Sequence, residues 1–232
     1  AEDGIRDDLV TGVQTCALPI FPAIEAYLVT RYHMYQQVYF HKVNMLTQAY
    51  LVNMLERARA LAQEGKLSLS EELAHMLLNT NLSAEEYVLL NDAHVKVALP
   101  HWAKHEDVYL SSYARRLLSR KDYHKSLRIS NFTVEMADLV APRVQELLLE
   151  RGFDPDIDMI QARISKRGYL PYVGGILLED GRDVSEHSAL IRSLVQPHEQ
   201  CLIFVPEALR DELEQSVREW VKPSQSSLAQ FD

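Results

Sequence analysis

Cysteine is scarce. Cys16 and Cys201 are the only two in 232 residues, so no disulfide framework holds this chain and the reading is a reducing cytoplasm. There is no C-x-x-C and no cluster of Cys with His, which removes structural zinc from consideration. No apolar run approaches the roughly 20 residues of a membrane span. The acidic start, AEDGIRDDLV, lacks the basic region of a secretory signal. Positive charge is short as well: the formal net charge is -9, which argues against an extended nucleic-acid surface or an anionic membrane as partner. Nucleophile motifs are missing. No G-x-S-x-G occurs, Cys201 sits in an apolar run that favours an inert buried thiol, and YVGGILLEDG lacks the G-K-[ST] of a phosphate loop.

The remaining composition suits a soluble globular chain: 47% hydrophobic and 25% charged residues. The first twenty residues stand apart, because EDGIRDDLVTGVQTCALPI has no periodicity that continues beyond residue 20. That string closely resembles the translated read-through of a sequencing-library adapter. Residues 1–20 are accordingly set aside as an artefact without a fold, and the native protein is expected to extend upstream of residue 21. One arginine and four acids leave with that segment, so the remainder carries -6.

From Pro22 to about Gln63 there is no internal glycine or proline. Leu28, Tyr32, Tyr35, Tyr39, Leu46, Tyr50 and Met54 recur at three- and four-residue steps, with Lys42 in the one gap. That pattern predicts one long amphipathic helix, with room for a bend near its start, ended by QEGK at 63–66. Ser68–Glu71 and Ser83–Glu86 fit S-x-x-E and predict helix starts. Pro100 reads as an interruption. HEDVYLSSYARRLLSR reads as a helix, and TVEMADLVAPRVQELLLERG as one or two, with Pro142 in a first turn. After FDPDID the pattern changes. MIQARISK, YVGGILLED and CLIFVP read as strands, and SEHSALIRSLV and PEALRDELEQSVREW as helices. The expected fold is mainly α: a helical body over 21–152, a small α+β unit over 153–221 and a disordered tail over 222–232.

TRYHMYQQVYFHK, residues 30–42, concentrates three tyrosines, a phenylalanine, two histidines, an arginine and a lysine without one acid. Arg31, Tyr35 and Tyr39 are spaced four apart and share a helical face, Lys42 comes three later, and His41 flanks it. An arginine fork suits phosphate, and tyrosine rings suit a sugar or base. The same stripe also reads as core tyrosines with satisfied hydroxyls. Of the nine histidines, His101 and His105 in HWAKH are i, i+4, but Trp102 stands where a zincin needs Glu, so a solvated helix end is the reading. His94, His124, His187 and His198 read as isolated surface residues. No metal site and no catalytic residue is assigned.

The stretch RYHMYQQVYFHKVNMLTQAYLVNML resembles the HD-domain phosphohydrolases, in particular their deoxynucleoside triphosphate triphosphohydrolase-like, or dGTPase-like, branch. Arg31, Tyr35, Val38, Tyr39, His41, Lys42 and the pair Met54-Leu55 carry the likeness. SAEEYVLLNDAHV, RRLLSRKDYHKSL and VSEHSALIRSLV with LIFVP after it continue the likeness in order, covering residues 22 to about 215. The resemblance implies a helical HD-type domain in which a divalent metal such as Mn or Mg and a neighbouring histidine activate water against a dNTP, releasing nucleoside and triphosphate. It implies that Arg31 contacts substrate phosphates, that Tyr39 and Tyr35 pack on sugar and base, and that His41 and Lys42 face a regulatory nucleotide or phosphate. It also implies homo-oligomers. The chain departs from the family in one essential respect: it contains no His-Asp dipeptide. The expectation is therefore the C-terminal part of such an enzyme, inactive alone and binding no metal itself. The alternative is a non-catalytic regulatory or oligomerisation module that keeps the nucleotide or dimer surface.

Overall fold

A computed structural model describes residues 13–221 apart from 80, 130, 131, 173 and 179. The expected tail over 222–232 lies outside the described residues, as do residues 1–12 of the segment set aside. The chain is mainly helical with a small three-stranded sheet. Among the described residues no helix is long and apolar enough to cross a membrane. Two compact units emerge, one from residues 1–41 and 164–200 and one from 42–163 and 201–232. The boundary suggested at residue 152 by sequence falls inside the second.

The first unit opens with α1, Val13–Met34, so the helix includes residues 13–20. It passes into a π-helical turn, Tyr35–Tyr39, and the helix lapses at His41. The single helix expected over 22–63 is thus two, because a π turn wedges an extra residue into the α repeat. Two short helices, α9 (Val184–His187) and α10 (Ala189–Val195), come later in the chain. Leu28 of α1 is buried with Tyr169, Val184, Ile191 and Leu194.

A polar anchor holds the loop of this unit. Asp183 is fully buried and accepts from the Tyr169 hydroxyl and from the N–H groups of Tyr172 and Ser185, each at 2.9 Å. The Tyr169 oxygen in turn accepts from Ile176 N–H at 2.7 Å. YVGGILLED is therefore not the strand its composition suggests. Its described residues fold around a carboxylate, leaving one isolated bridge, Leu177 to Asp183. Gly175 is required there, since a Cβ would come within 2.5 Å of Asp183 Oδ2.

In the second unit α2, Lys42–Gln63, buries Leu46, Tyr50, Met54, Ala58 and Leu61, a stripe at four- and three-residue steps. It packs against α6, Val108–Ser119. Between them in sequence lie α3 (Glu71–Leu78), α4 (Ala84–Leu89) and α5 (Asp92–Trp102). Ser83 starts α4 with the capping box read from the sequence: its Oγ accepts from Glu86 N–H, and Glu86 accepts from Ser83 N–H. The start read at Ser68 falls two residues later, where Ser70 accepts from Leu73 N–H. Pro100 and Pro142 interrupt nothing; both lie inside helices, Pro142 within α7, Val134–Glu150. Each is on an exposed side, where water can meet the carbonyl that lacks an N–H donor.

The short β1 (Lys125–Ser126) pairs antiparallel with β3 (Pro197–Val205), Lys125 opposite Val205 and Ser126 opposite Phe204. After a turn of helix α8 (Pro155–Asp158), strand β2 (Ile160–Arg167) completes the order β1-β3-β2. The last helix, α11, is Glu207–Val221. Leu209, Leu213 and Val217 of α11 close on Val140, Val144 and Leu148 of α7 and on Ile203 and Val205 of β3. Cys201 is buried in this core, and burial pushes its thiol up from the ordinary range, the inert thiol its apolar run predicts.

Asp183→Ala leaves three donors of the first unit's loop without their acceptor. It should cost about 2–4 kcal/mol, measured as a lower urea midpoint, whereas Asp180→Ala nearby should change the midpoint little.

Candidate functional site

The aromatic and basic stretch over residues 30–42 divides at the unit boundary. Arg31, Tyr35, Tyr39 and His41 belong to the first unit and Lys42 to the second. In the first, the Arg31 guanidinium carbon stands 5.6 Å from the Tyr35 ring centre and Lys166 Nζ 5.2 Å from it. The Tyr35 and Tyr39 ring centres are 5.0 Å apart, with the rings tilted by 35°. Cations over a tyrosine face are held by the ring quadrupole, so two basic side chains gather on one ring. None of the π-turn residues is buried, and Tyr39 is 55% exposed. This decides against the reading of these tyrosines as core. Arg31 also lines an open groove of about 810 Å³ together with Tyr27, Lys166, Arg167, Tyr169 and Glu199. Tyr35 and Tyr39 do not line it, although Arg31 rests on the Tyr35 ring and the two tyrosine rings stay in contact.

Lys42 is the first residue of α2 and lines a separate cavity of about 430 Å³ wholly within the second unit. Four further cations line it: Arg120, Lys125, Arg128 and Arg210, against the single carboxylate of Glu207. Each is delivered by a different device. Arg120 is the C-cap of α6 in the left-handed conformation, φ 53°. Lys125 is on β1, Arg128 lies just past it, and Arg210 is in the first turn of α11. Among the described residues Lys42 and Arg120 have no carboxylate within salt-bridge distance, whereas Lys125 is 3.6 Å from Glu207. Lys125, Arg128 and Arg210 are answered by Glu207, Asp211 and Glu214, so with Lys42 and Arg120 the cavity keeps an excess of positive charge within an acidic whole. Guanidinium forks beside ammonium points form a donor set for phosphate oxygens.

His124 lines the same cavity. It is 4% exposed, correcting its reading as a surface residue. Its backbone N–H donates to the Tyr50 hydroxyl at 3.0 Å, and that hydroxyl lies 2.7 Å from its own Nδ1. Its Nε2 is 3.4 Å from Asp158 Oδ1, to which Arg116 also donates at 3.1 Å. The phenol therefore donates to Nδ1, and Nε2 carries the proton towards the carboxylate. Burial pushes the His124 ring below the ordinary histidine range and pushes Tyr50 up to about 12. Asp158 is pulled upward by burial, but His124 and Arg116 outweigh this and hold it low.

Sequence reasoning singled out Arg31 as a substrate-phosphate contact and Lys42 as a regulatory-phosphate contact; each lines a cavity, while Arg120, Lys125, Arg128, Arg210 and His124 were not singled out as site residues. For all but Arg210 the signal was the run RKDYHKSLR, in which cations recur without a helical or strand period to gather them; strand pairing and an αL cap do so instead. The metal implied by the family resemblance does not fit the described residues. Among them no three His, Cys, Asp or Glu side chains come close enough to hold an ion. His105, beyond the end of α5, has Nδ1 occupied by Asp107 N–H and Nε2 3.4 Å from the Lys66 carbonyl.

Because folded His124 binds its proton more weakly than the unfolded chain, its contribution to stability is complete above the unfolded value near 6.5. It is lost as pH falls from there through the folded value. Urea midpoints at pH 8 and pH 5 should differ more in the wild type than in His124→Gln.

No family model matches the chain. The uncharacterized protein YwfO of Bacillus subtilis is 27% identical over 184 residues, covering 74% of this chain and 42% of YwfO. A phosphohydrolase crystal structure from Bacteroides thetaiotaomicron superposes with a TM-score of 0.58 at 23% identity, over 81% of this chain and 50% of that one. A hypothetical protein from Aquifex aeolicus gives 0.54 at 23% identity, over 85% and 45%. The chain thus spans about half the length of these proteins or less, and at such identities the likeness is one of fold: this chain shares the architecture of a protein described as a phosphohydrolase.

Proposed function

We propose that this chain is the C-terminal part of a metal-dependent nucleotide phosphohydrolase of the HD-domain, dGTPase-like kind, acting on deoxynucleoside triphosphates. The observation that carries the reading is the convergence of Lys42, Arg120, Lys125, Arg128 and Arg210 on one cavity in a chain of net charge -9. Phosphate is the ligand class that rewards such a cluster. The fold shared with a phosphohydrolase supports the same class of chemistry, and the share of the relatives' length that is spanned supports a partial chain.

In this reading Arg31 binds substrate phosphate, with Lys166 beside it on the Tyr35 ring. Tyr39 offers an exposed ring to sugar and base, and the half-buried Tyr35 ring backs it. Lys42 and its cavity hold a nucleotide or its phosphates as a regulator, with His41 at the preceding position. The divalent metal, Mn or Mg, is held by upstream residues of the intact protein, which works in the cytoplasm as a homo-oligomer. The observation favouring a regulatory module instead is that the basic cavity lies in a unit with no metal-holding group among its described residues.

Calorimetric titration of the 232-residue chain with inorganic triphosphate should show binding that weakens with added salt. Arg120→Ala and Lys125→Ala should each weaken it about tenfold, the scale of one lost charged contact. Absence of binding would sink the reading. The chain alone should release no triphosphate from dNTPs with manganese; release above background would refute the assignment of the metal centre elsewhere.

A further inference from the structure

Glu214 is the acidic residue that the cavity does not use directly. It lies on α11, is 4% exposed and does not line the cavity. Its Oε1 accepts from the Arg128 backbone N–H at 3.0 Å and from Arg128 Nε at 3.1 Å. The same oxygen stands 3.7 Å from Arg210 Nε. Its Oε2 accepts from Arg218 at 3.4 Å. Arg218 also donates to the Arg128 carbonyl at 3.2 Å. Both backbone polar groups of Arg128 are therefore tied to α11, and its guanidinium is gripped at the Nε edge. Asp211, 3.5 Å from Arg128 and 3.2 Å from Arg210, steadies the outer side. The Arg128 side chain is still 62% exposed, so its fork remains available to a ligand.

A long cation that samples many rotamers must give up that freedom when it binds an anion, and the binding free energy is reduced by that cost. An arginine already fixed by a buried partner avoids much of it. We propose that Glu214 is a positioning residue for the basic cavity: it holds the guanidinium groups of Arg128 and Arg210 in place to receive a polyphosphate. This rests on the reading of the cavity as a phosphate site.

The sign of one substitution separates positioning from simple charge. Glu214 is negative, so by Coulomb's law alone Glu214→Gln should tighten the binding of any anion nearby. If Glu214 positions the arginines, the same substitution should weaken it, by about tenfold for inorganic triphosphate. The measurement is calorimetry on the full chain, below its unfolding transition. Glu214→Asp, which keeps the charge but draws the carboxylate back by a methylene, should also weaken binding and serves if Glu214→Gln does not fold. In nitrogen-detected NMR of the ligand-free protein, the Arg128 Nε–H signal should be protected from exchange in the wild type and lose protection in either variant. In a double-mutant cycle, Glu214→Gln should weaken binding less once Arg128 is alanine, the remainder coming from Arg210. Triphosphate binding by a folded Glu214→Gln chain that is equal to or tighter than wild type overturns the proposal and leaves the phosphate reading intact. A wild-type chain that does not bind triphosphate overturns both.

Discussion

One buried hydroxyl organises the second unit. Tyr50 sits at the centre of the α2 stripe with no exposed surface, so its oxygen must find partners inside the protein. It finds both in His124, accepting from the backbone N–H and facing the ring nitrogen. That pair fixes the short crossing from α6 to β1. The segment begins with Arg120 and Asp122 in the left-handed conformation and ends with Lys125 in register against Val205. Arg120 and Lys125 line the cavity from the two ends of this crossing, which these bonds hold. The apolar stripe of a helix thereby sets the geometry of a charged surface site.

The carboxylates extend the same logic. Asp158 and Glu214 are both drawn largely out of water and both answered by arginine, Asp158 by Arg116 and Glu214 by Arg128, Arg210 and Arg218. In the first unit, where among the described residues no cation takes that place, Asp183 is answered by two backbone N–H groups and a phenol. A carboxylate held by fixed dipoles stays ionised as one beside a cation does. Three segments outside the long helices are shaped in this way. A loop so held keeps its side chains in place without belonging to a helix or strand, which suits the display of groups that meet a ligand.

How much of this could be read beforehand depended on whether the cause was periodic. The stripes of α2, α7 and α11, the capping box at Ser83 and the strands β2 and β3 repeat at 3.6 or 2 residues or keep fixed offsets, and were legible. Pro142 misled because its effect depends on which side of the helix it faces. YVGGILLED misled because its composition is that of a strand while its conformation is set by Asp183, a residue beyond it. The site was legible only where a motif was dense. Arg31 and Lys42 stood out among aromatics. Arg128 and Arg210 are 82 positions apart in the numbering and meet only through the pairing of β1 with β3 and the turn into α11.

The π turn at Tyr35–Tyr39 has a consequence for how the length of this chain can vary. Loss of one residue from α2 ahead of Tyr50 would swing the stripe from Tyr50 to Leu61 by about 100° around the axis and turn buried phenol and methionine outward. Loss of one residue among Gln36, Gln37 and Val38 would instead relax a wide turn to an ordinary one, leaving the hydrogen-bonded helix behind it locally intact. The protein therefore carries, next to its densest cluster of rings and cations, a place where a deletion is absorbed rather than propagated. Relatives that differ in length within this helix are expected to differ there.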